Sequence, residues 1–266
     1  MTDWNNSLSR EYFGEFQGRG VIIAGGAAGI GAALADAFQW LGAKVAVIDL
    51  NKSGAAVSIT ADLTDEQART AAITEACDKV GAPSAFISTL GFDNRLGFDL
   101  TQEQAEHLMR VNFFAPVFAA RAVMPVMRKG GGGAICLFTS RHGSEIFEPD
   151  MTGYGCAKAA LDSGIKRLAV KAGEDNTAGN IIRVFGFCPG WVQSDSQKAR
   201  FGAQQFEDAA KEQLVPVGMQ PADIVPAIIF GLSKHSRLLS GTTLRFDAGE
   251  GQIKKSAVTD GSKKAS

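Results

Sequence analysis

Gly20-Val21-Ile22-Ile23-Ala24-Gly25-Gly26-Ala27-Ala28-Gly29-Ile30-Gly31 is the stretch whose reading decides the fold. A β-branched run breaks into a glycine-rich turn. A helical pattern then runs from Ala32 to Leu41 and stops at Gly42, a position suited to a helix C-terminal glycine. Lys44-Val45-Ala46-Val47-Ile48 follows as a second apolar strand that ends at Asp49. Strand, glycine turn, helix and strand within about thirty residues make a βαβ unit. Apolar residues on successive positions fit parallel strands buried on both faces.

The alternation continues along the chain. Strands are expected over 56–61, 84–89, 134–139, 181–188 and 242–246, and helices over 65–80, 101–128 and 155–172. Thr64 is the expected N-cap of the first of these helices, and Thr101 with Gln104 resembles a capping box for the second. Pro116 either starts a second helix there or kinks the first. Gly130 to Gly133 reads as a flexible surface turn, and Asp195 to Val215 as one or two amphipathic helices. Such repeated strand–helix alternation is an α/β, doubly wound parallel sheet with right-handed crossovers. No linker, composition shift or repeat divides the chain. It reads as an N-terminal arm over 1–19, one domain over 20–253, and a Lys-, Ser- and Gly-rich tail over 254–266 expected to be disordered.

Composition narrows the function classes. The chain has 266 residues, 45% hydrophobic and 21% charged, enough for a full core and ordinary for an enzyme. A net charge of −1 supplies no bulk field for nucleic acid or an anionic membrane, so neither is expected as a partner. Cys77, Cys136, Cys156 and Cys188 are scattered with no metal-ligand spacing, so neither zinc nor any other metal site, nor a disulfide framework, is expected. Buried reduced thiols, a polar N-terminus without a signal-peptide pattern, and no run of 18 apolar residues make the cytoplasm the expected location.

Two separated motifs then carry chemistry. The glycine turn sits between a strand and a helix: Gly25 permits the tight turn, Gly29 the approach of a pyrophosphate, and Gly31 close helix–sheet packing. Asp49 closes the next strand about 20 residues on, where a carboxylate bonds ribose hydroxyls and repels a 2′-phosphate, so NAD is expected over NADP. At the end of strand three, Asp62 is placed either to accept from an adenine amino group, with Leu63 over the ring, or to serve as a carboxylate at the helix N-terminus; Gly91, ending strand four, lets the backbone pass near ribose. Downstream, Tyr154 and Lys158 stand four residues apart on one helical face. A lysine ammonium beside a phenol is expected to lower its pKa from about 10 and make it a proton-transfer group. Ser140, at a strand end, is placed to hydrogen-bond a substrate oxygen.

Together these residues resemble the short-chain dehydrogenase/reductase family over nearly the full length. The family's Thr-Gly-x-x-x-Gly-x-Gly is similar to Ala24-Gly25-Gly26-Ala27-Ala28-Gly29-Ile30-Gly31, with Ala in place of Thr. Its active-site asparagine is similar to Asn112, its catalytic serine to Ser140, and its Tyr-x-x-x-Lys to Tyr154 and Lys158. Pro189-Gly190, with Val192 and Ser194 beyond, matches the turn that meets the nicotinamide, and Gly241 to Gly249 matches its C-terminal pattern. The resemblance departs at Ser88-Thr89-Leu90-Gly91, which loses side-chain amides that brace the sheet, at Phe185 in place of an asparagine, and in a Ser–Tyr gap one residue longer than the commonest.

The resemblance implies a single-domain Rossmann fold with a seven-stranded parallel sheet in the order 3-2-1-4-5-6-7, and hydride transfer between NAD and a secondary alcohol or ketone. It implies Tyr154 as the proton-transfer group, Lys158 as its partner and holder of the nicotinamide ribose, Ser140 steadying the oxyanion, and Asn112 fixing a relay water. It also implies a homo-oligomer, a tetramer built by pairing the helices of Asn112 and Lys158. Arg141 and His142 follow Ser140 in a loop that borders substrate in this family, which points to a polar or anionic substrate such as a sugar, cyclic polyol or hydroxy acid; surface-loop residues are the alternative. Trp191 either walls the pocket or packs on Pro189. Phe201 and Phe206 fall in the region of the family's substrate lid. A non-catalytic dinucleotide-binding sensor and an NADP-dependent ketoreductase are the competing functional readings.

Overall fold

The structure, a computed structural model, describes residues 8–211 and 213–250. The first seven residues of the expected arm, the expected domain end at 253 and the 254–266 tail lie outside the described residues.

Seven strands form one parallel sheet in the order β3-β2-β1-β4-β5-β6-β7: β1 Gly20–Ala24, β2 Lys44–Asp49, β3 Val57–Thr60, β4 Pro83–Ser88, β5 Gly132–Phe138, β6 Ile181–Pro189 and β7 Thr243–Phe246. The order reverses after β3, so β1 pairs with β2 on one side and β4 on the other. That reversal opens a crevice above the carboxyl ends of β1 and β4, where open α/β sheets bind ligands.

Each strand sends alternate side chains to opposite layers. Val21, Ile23, Val45, Val47, Ala85 and Ile87 pack with α1 (Gly29–Trp40) and α8 (Pro221–Leu232). Ile22, Ala46, Ile48, Phe86, Ile135 and Leu137 pack with α2 (Glu66–Val80), α4 (Ala115–Lys129) and α5 (Thr152–Glu174). Each fully buried Ile, Leu or Phe contributes about 1.5–3 kcal/mol, so both faces of the sheet drive folding.

Several local expectations change. The N-cap of α2 is Asp65, whose Oδ1 accepts from the Ala68 amide at 2.7 Å, while Thr64 donates its hydroxyl to Asp62. Thr101 and Gln104 do form the capping box of α3 (Gln102–Met109). A π-helical turn, Arg110–Phe114, joins α3 to α4, and Pro116 sits in the first turn of α4. Gly132 and Gly133 are not a surface turn but the start of β5. A Cβ on Gly132 would lie 2.3 Å from the Ile181 carbonyl oxygen, and one on Gly133 2.4 Å from that of Ser84, so glycine is what lets β5 sit between its neighbours. The 195–215 segment contains two short helices, α6 (Asp195–Phe201) and α7 (Ala203–Lys211).

Candidate active site

The carboxyl ends of β1, β4, β5 and β6 surround one cavity of about 610 Å³. At one end lies the glycine turn. Gly25 and Gly29 have φ of +86° and +57°, a region open to glycine at little cost. A Cβ on Gly31 would lie 2.1 Å from the Gly25 carbonyl oxygen, so only glycine lets α1 start so close to β1. Ala28, the N-cap of α1, gives no side-chain hydrogen bond, and Ala28, Gly29, Ile30 and Gly31 all line the cavity. An uncapped, glycine-lined helix N-terminus facing a cavity suits a pyrophosphate, so the residues fit a dinucleotide.

Asp49 is half-buried beside this turn; its Oδ2 accepts from the Ala27 amide at 3.0 Å and its Oδ1 from the Asn51 amide at 3.0 Å. The carboxylate therefore braces the turn as well as closing β2. Asp62 is exposed and its Oδ1 is engaged by the Thr64 amide and hydroxyl. Leu63 departs from expectation, because its side chain is buried in the core under α2 rather than open to a ring. The bracing amides missing after β4 are replaced by Thr89, whose hydroxyl donates to the Gly25 carbonyl at 2.6 Å. Phe185, where the family has an asparagine, fills the core against Gly231.

At the other end α5 carries Tyr154 and Lys158, both lining the cavity with Ser140. Lys158 is buried, and its Nζ donates to the carbonyl oxygens of Leu90 at 3.0 Å and Phe138 at 2.9 Å. These backbone partners leave the amine pointing past Gly91, where a Cβ would come within 3.6 Å of it. Ser140 lines the cavity with Tyr154; its Oγ accepts from the His142 amide at 3.3 Å, and its side chain works to lower the Tyr154 pKa. The longer Ser–Tyr gap is taken up in the intervening loop, where the amides of Ser144, Glu145 and Ile146 all donate to the Arg141 carbonyl.

The proton affinities correct the simple expectation of a lysine-lowered phenol. Burial pushes Tyr154 up to about 12, while the Ser140 hydrogen bond pulls it down and Asp93 and Cys188 raise it further. Burial brings Lys158 down to about 7, with Cys188 opposing.

Asn112 lies in the π-helical turn, fully buried. Its Nδ2 donates to the Phe92 carbonyl at 2.8 Å and the Leu108 carbonyl at 3.0 Å, and its Oδ1 accepts from the Phe92 amide at 3.1 Å. It holds the loop after β4 against the junction of α3 and α4; π turns are frequent at functional sites.

Arg141 and His142 part company. Arg141 also lines the cavity, but its guanidinium is buried among carboxylates rather than exposed on a surface loop. His142 lines the cavity edge-on to the Tyr154 ring, 6.0 Å between centroids, and burial lowers its pKa. Trp191 lines the cavity and packs under the two lid helices, 4.0 Å from the Phe206 ring and 5.3 Å from that of Phe201. Pro189, Gly190, Val192 and Ser194 line the same wall, and Ser194 N-caps α6. A Cβ on Gly29 would meet Ser194 at 3.5 Å, so the start of the lid rests on the glycine turn.

Sequence reading missed the substrate-end wall contributed by Asp93, Arg95, Glu148 and Gln205. Arg200 of α6 pairs with Asp93 at 2.9 Å, and Arg95 lies 5.2 Å over the Phe201 ring, so the loop after β4 holds α6. Their place just beyond the end of β4 was the only available signal for Asp93 and Arg95.

Comparison with known proteins agrees with this geometry. A family model described as enoyl-(acyl carrier protein) reductase matches residues 25–250. A probable galactose dehydrogenase of Rhizobium meliloti is 30% identical over 259 residues, covering 91% of this chain and 99% of that protein. The 7α-hydroxysteroid dehydrogenase of Escherichia coli is 29% identical, over 87% of this chain and 94% of that protein. A solved 7α-hydroxysteroid dehydrogenase in complex with NADH and 7-oxo glycochenodeoxycholic acid superposes with a TM-score of 0.81 at 28% identity, over 90% of this chain and 97% of that one.

Proposed function

The chain belongs to the short-chain dehydrogenase/reductase family, hydride-transferring oxidoreductases that use a nicotinamide dinucleotide, and from that premise we propose that it is an NAD-dependent dehydrogenase of a polar secondary alcohol such as a sugar or cyclic polyol. One observation carries the reading: Ser140, Tyr154 and Lys158 face the same cavity as the Gly25–Gly31 turn. A protein that only sensed a dinucleotide has no use for that triad.

The residues that hold the dinucleotide are Gly25, Gly29, Ile30 and Gly31 at the pyrophosphate, Asp49 at the adenosine ribose, Asp62 at the adenine end, and Gly91, Lys158, Pro189, Gly190, Val192 and Ser194 towards the nicotinamide. When bound, it supplies the hydride acceptor or donor. The protein supplies the rest. The Tyr154 Oη takes the proton of the reacting hydroxyl or returns it, the Ser140 hydroxyl steadies that oxygen, and Lys158, held by two carbonyl oxygens, passes protons behind Tyr154. Asn112 keeps the adjoining loop in register. His142 and Trp191 border the substrate.

Asp49 selects NAD, since a 2′-phosphate there would face a like charge. The names of the relatives, a galactose and a hydroxysteroid dehydrogenase, leave open how polar the substrate is. The cavity walls favour the polar end: Asp93, Arg95, His142, Glu148 and Gln205 all line it. The same reading extends to a cytoplasmic homo-oligomer, a tetramer, paired through α4 and α5, which light scattering tests.

The deciding experiment is NADH formation on a panel of aldoses, polyols and hydroxysteroids. Turnover with a sugar, lost by at least about 100-fold in Tyr154→Phe while NADH still binds, is the expected result. NADH binding with no turnover on any alcohol returns the protein to the sensor class.

A further inference from the structure

Five charged side chains meet behind Ser140. The Arg141 Nε lies 3.3 Å from Asp247 Oδ2 and 3.5 Å from Glu145 Oε2, and its Nη1 2.9 Å from Glu250 Oε2. Arg245 spans the same three residues: Nε donates to Asp247 Oδ2 at 2.6 Å, Nη1 to Glu145 Oε1 at 2.8 Å, and Nη2 to the Glu250 carbonyl at 2.9 Å. Glu250 Oε2 in turn accepts from the Trp191 amide at 3.3 Å. The cluster thus joins the serine loop, the end of β7 and the turn after β6.

Burial of such a cluster is poor evidence for stability. Desolvating ions offsets most of their attraction, and apolar side chains of equal volume often stabilise as well or better. What an ionic cluster supplies is a defined position. Arg141 sits next in the chain to Ser140, and three successive amides close around its carbonyl. Its side chain is 6% exposed and packs against three carboxylates, two of which Arg245 also pairs.

We propose that Arg141 is a positioning residue: paired with Asp247 and Glu250, it fixes the loop that presents Ser140 to the cavity shared with Tyr154 and ties that placement to the Pro189–Val192 turn. The proposal rests on the dehydrogenase reading for its catalytic consequence, but its geometric core can be read without turnover.

The sequence contains two tyrosines, Tyr12 and Tyr154, so the protein labelled with [ζ-13C]tyrosine gives two resonances, assigned with Tyr12→Phe. Removing the Ser140 hydroxyl in Ser140→Ala is expected to shift the Tyr154 signal. Arg141→Gln is expected to shift it the same way by a smaller amount, with Arg141→Lys between Gln and wild type. In assays of alcohol oxidation Arg141→Gln should lower kcat about 10- to 100-fold, the cost of a small misplacement near the chemistry, and move the acidic limb of the pH profile to higher pH. NADH binding should weaken less than kcat falls. If Arg141→Gln does not fold, Arg141→Lys and Glu250→Gln carry the same readout. A Tyr154 resonance unmoved in the folded variants, or a lower melting temperature with unchanged signal and pH profile, overturns the proposal. Wild-type protein without turnover overturns the dehydrogenase reading instead and leaves the resonance test intact.

Discussion

The Lys158 Nζ lies 5.7 Å from the centre of the Tyr154 ring, one helical turn away on the same face of α5. The contact is the one the Tyr-x-x-x-Lys spacing calls for, yet burial moves the two groups in opposite directions, Lys158 down to about 7 and Tyr154 up to about 12. The pair is therefore a site of stored electrostatic cost.

That cost has a pH signature. Between pH 7 and the ordinary lysine range, Lys158 is neutral when folded and protonated when unfolded, so the unfolded state binds more protons and this group makes stability rise with pH. Cys188 and Tyr154, raised to about 11 and 12, act oppositely once their unfolded counterparts ionise above about pH 9. The difference in melting temperature, wild type minus Lys158→Met, is expected to climb from pH 7 to 9. A flat difference refutes the assignment.

Gly31→Ala tests the glycine turn. Alanine favours a helix over glycine by about 1 kcal/mol. Here the new Cβ would sit 2.1 Å from the Gly25 carbonyl oxygen and 2.7 Å from the Gly26 Cα, both backbone atoms with nowhere to go. The clash wins: overpacking of this kind costs about 1–3 kcal/mol or more, and calorimetry should record a lower melting temperature together with at least tenfold weaker NADH binding. Unchanged values would mean the turn is looser than described.

Asp49 is tested by cofactor preference. Wild type should bind NAD at least about tenfold more tightly than NADP, the scale of one charge-assisted hydrogen bond. Asp49→Asn keeps an acceptor for the Ala27 amide while removing the charge, so the ratio of dissociation constants should fall towards one. Tighter NADP binding in wild type would reverse the assignment.

Arg200→Ala releases the lid from Asp93. The pair is partly exposed, so its contribution is at most about 1 kcal/mol and KM should rise no more than about fivefold, with kcat steady and the difference shrinking in high salt. A large fall in kcat would place Arg200 nearer the chemistry than the structure does.

Much of the scaffold was legible because its signals are local. The run Val21 to Ala24, the turn Gly25 to Gly31 and the strand ending at Asp49 declare a βαβ unit through apolar continuity and glycine placement within one short window. Errors fell where a residue's partner is far along the chain. Gly132 and Gly133 look like a loop until Ile181 and Ser84 press on them, and Thr89 looks like a lost brace until its hydroxyl meets Gly25.

By itself the sequence determined the order of the strands and of the helices other than α8, the glycine turn and the shared face of Tyr154 and Lys158, because each follows from backbone periodicity and steric freedom within a few residues. Only the tertiary structure decided that Arg141 pairs with Asp247 and Glu250, that Leu63 turns into the core, and that burial brings Lys158 down to about 7. Those outcomes depend on burial and on charges about a hundred residues away in the chain. Desolvation and Coulomb energy act through space, and no spacing rule encodes them.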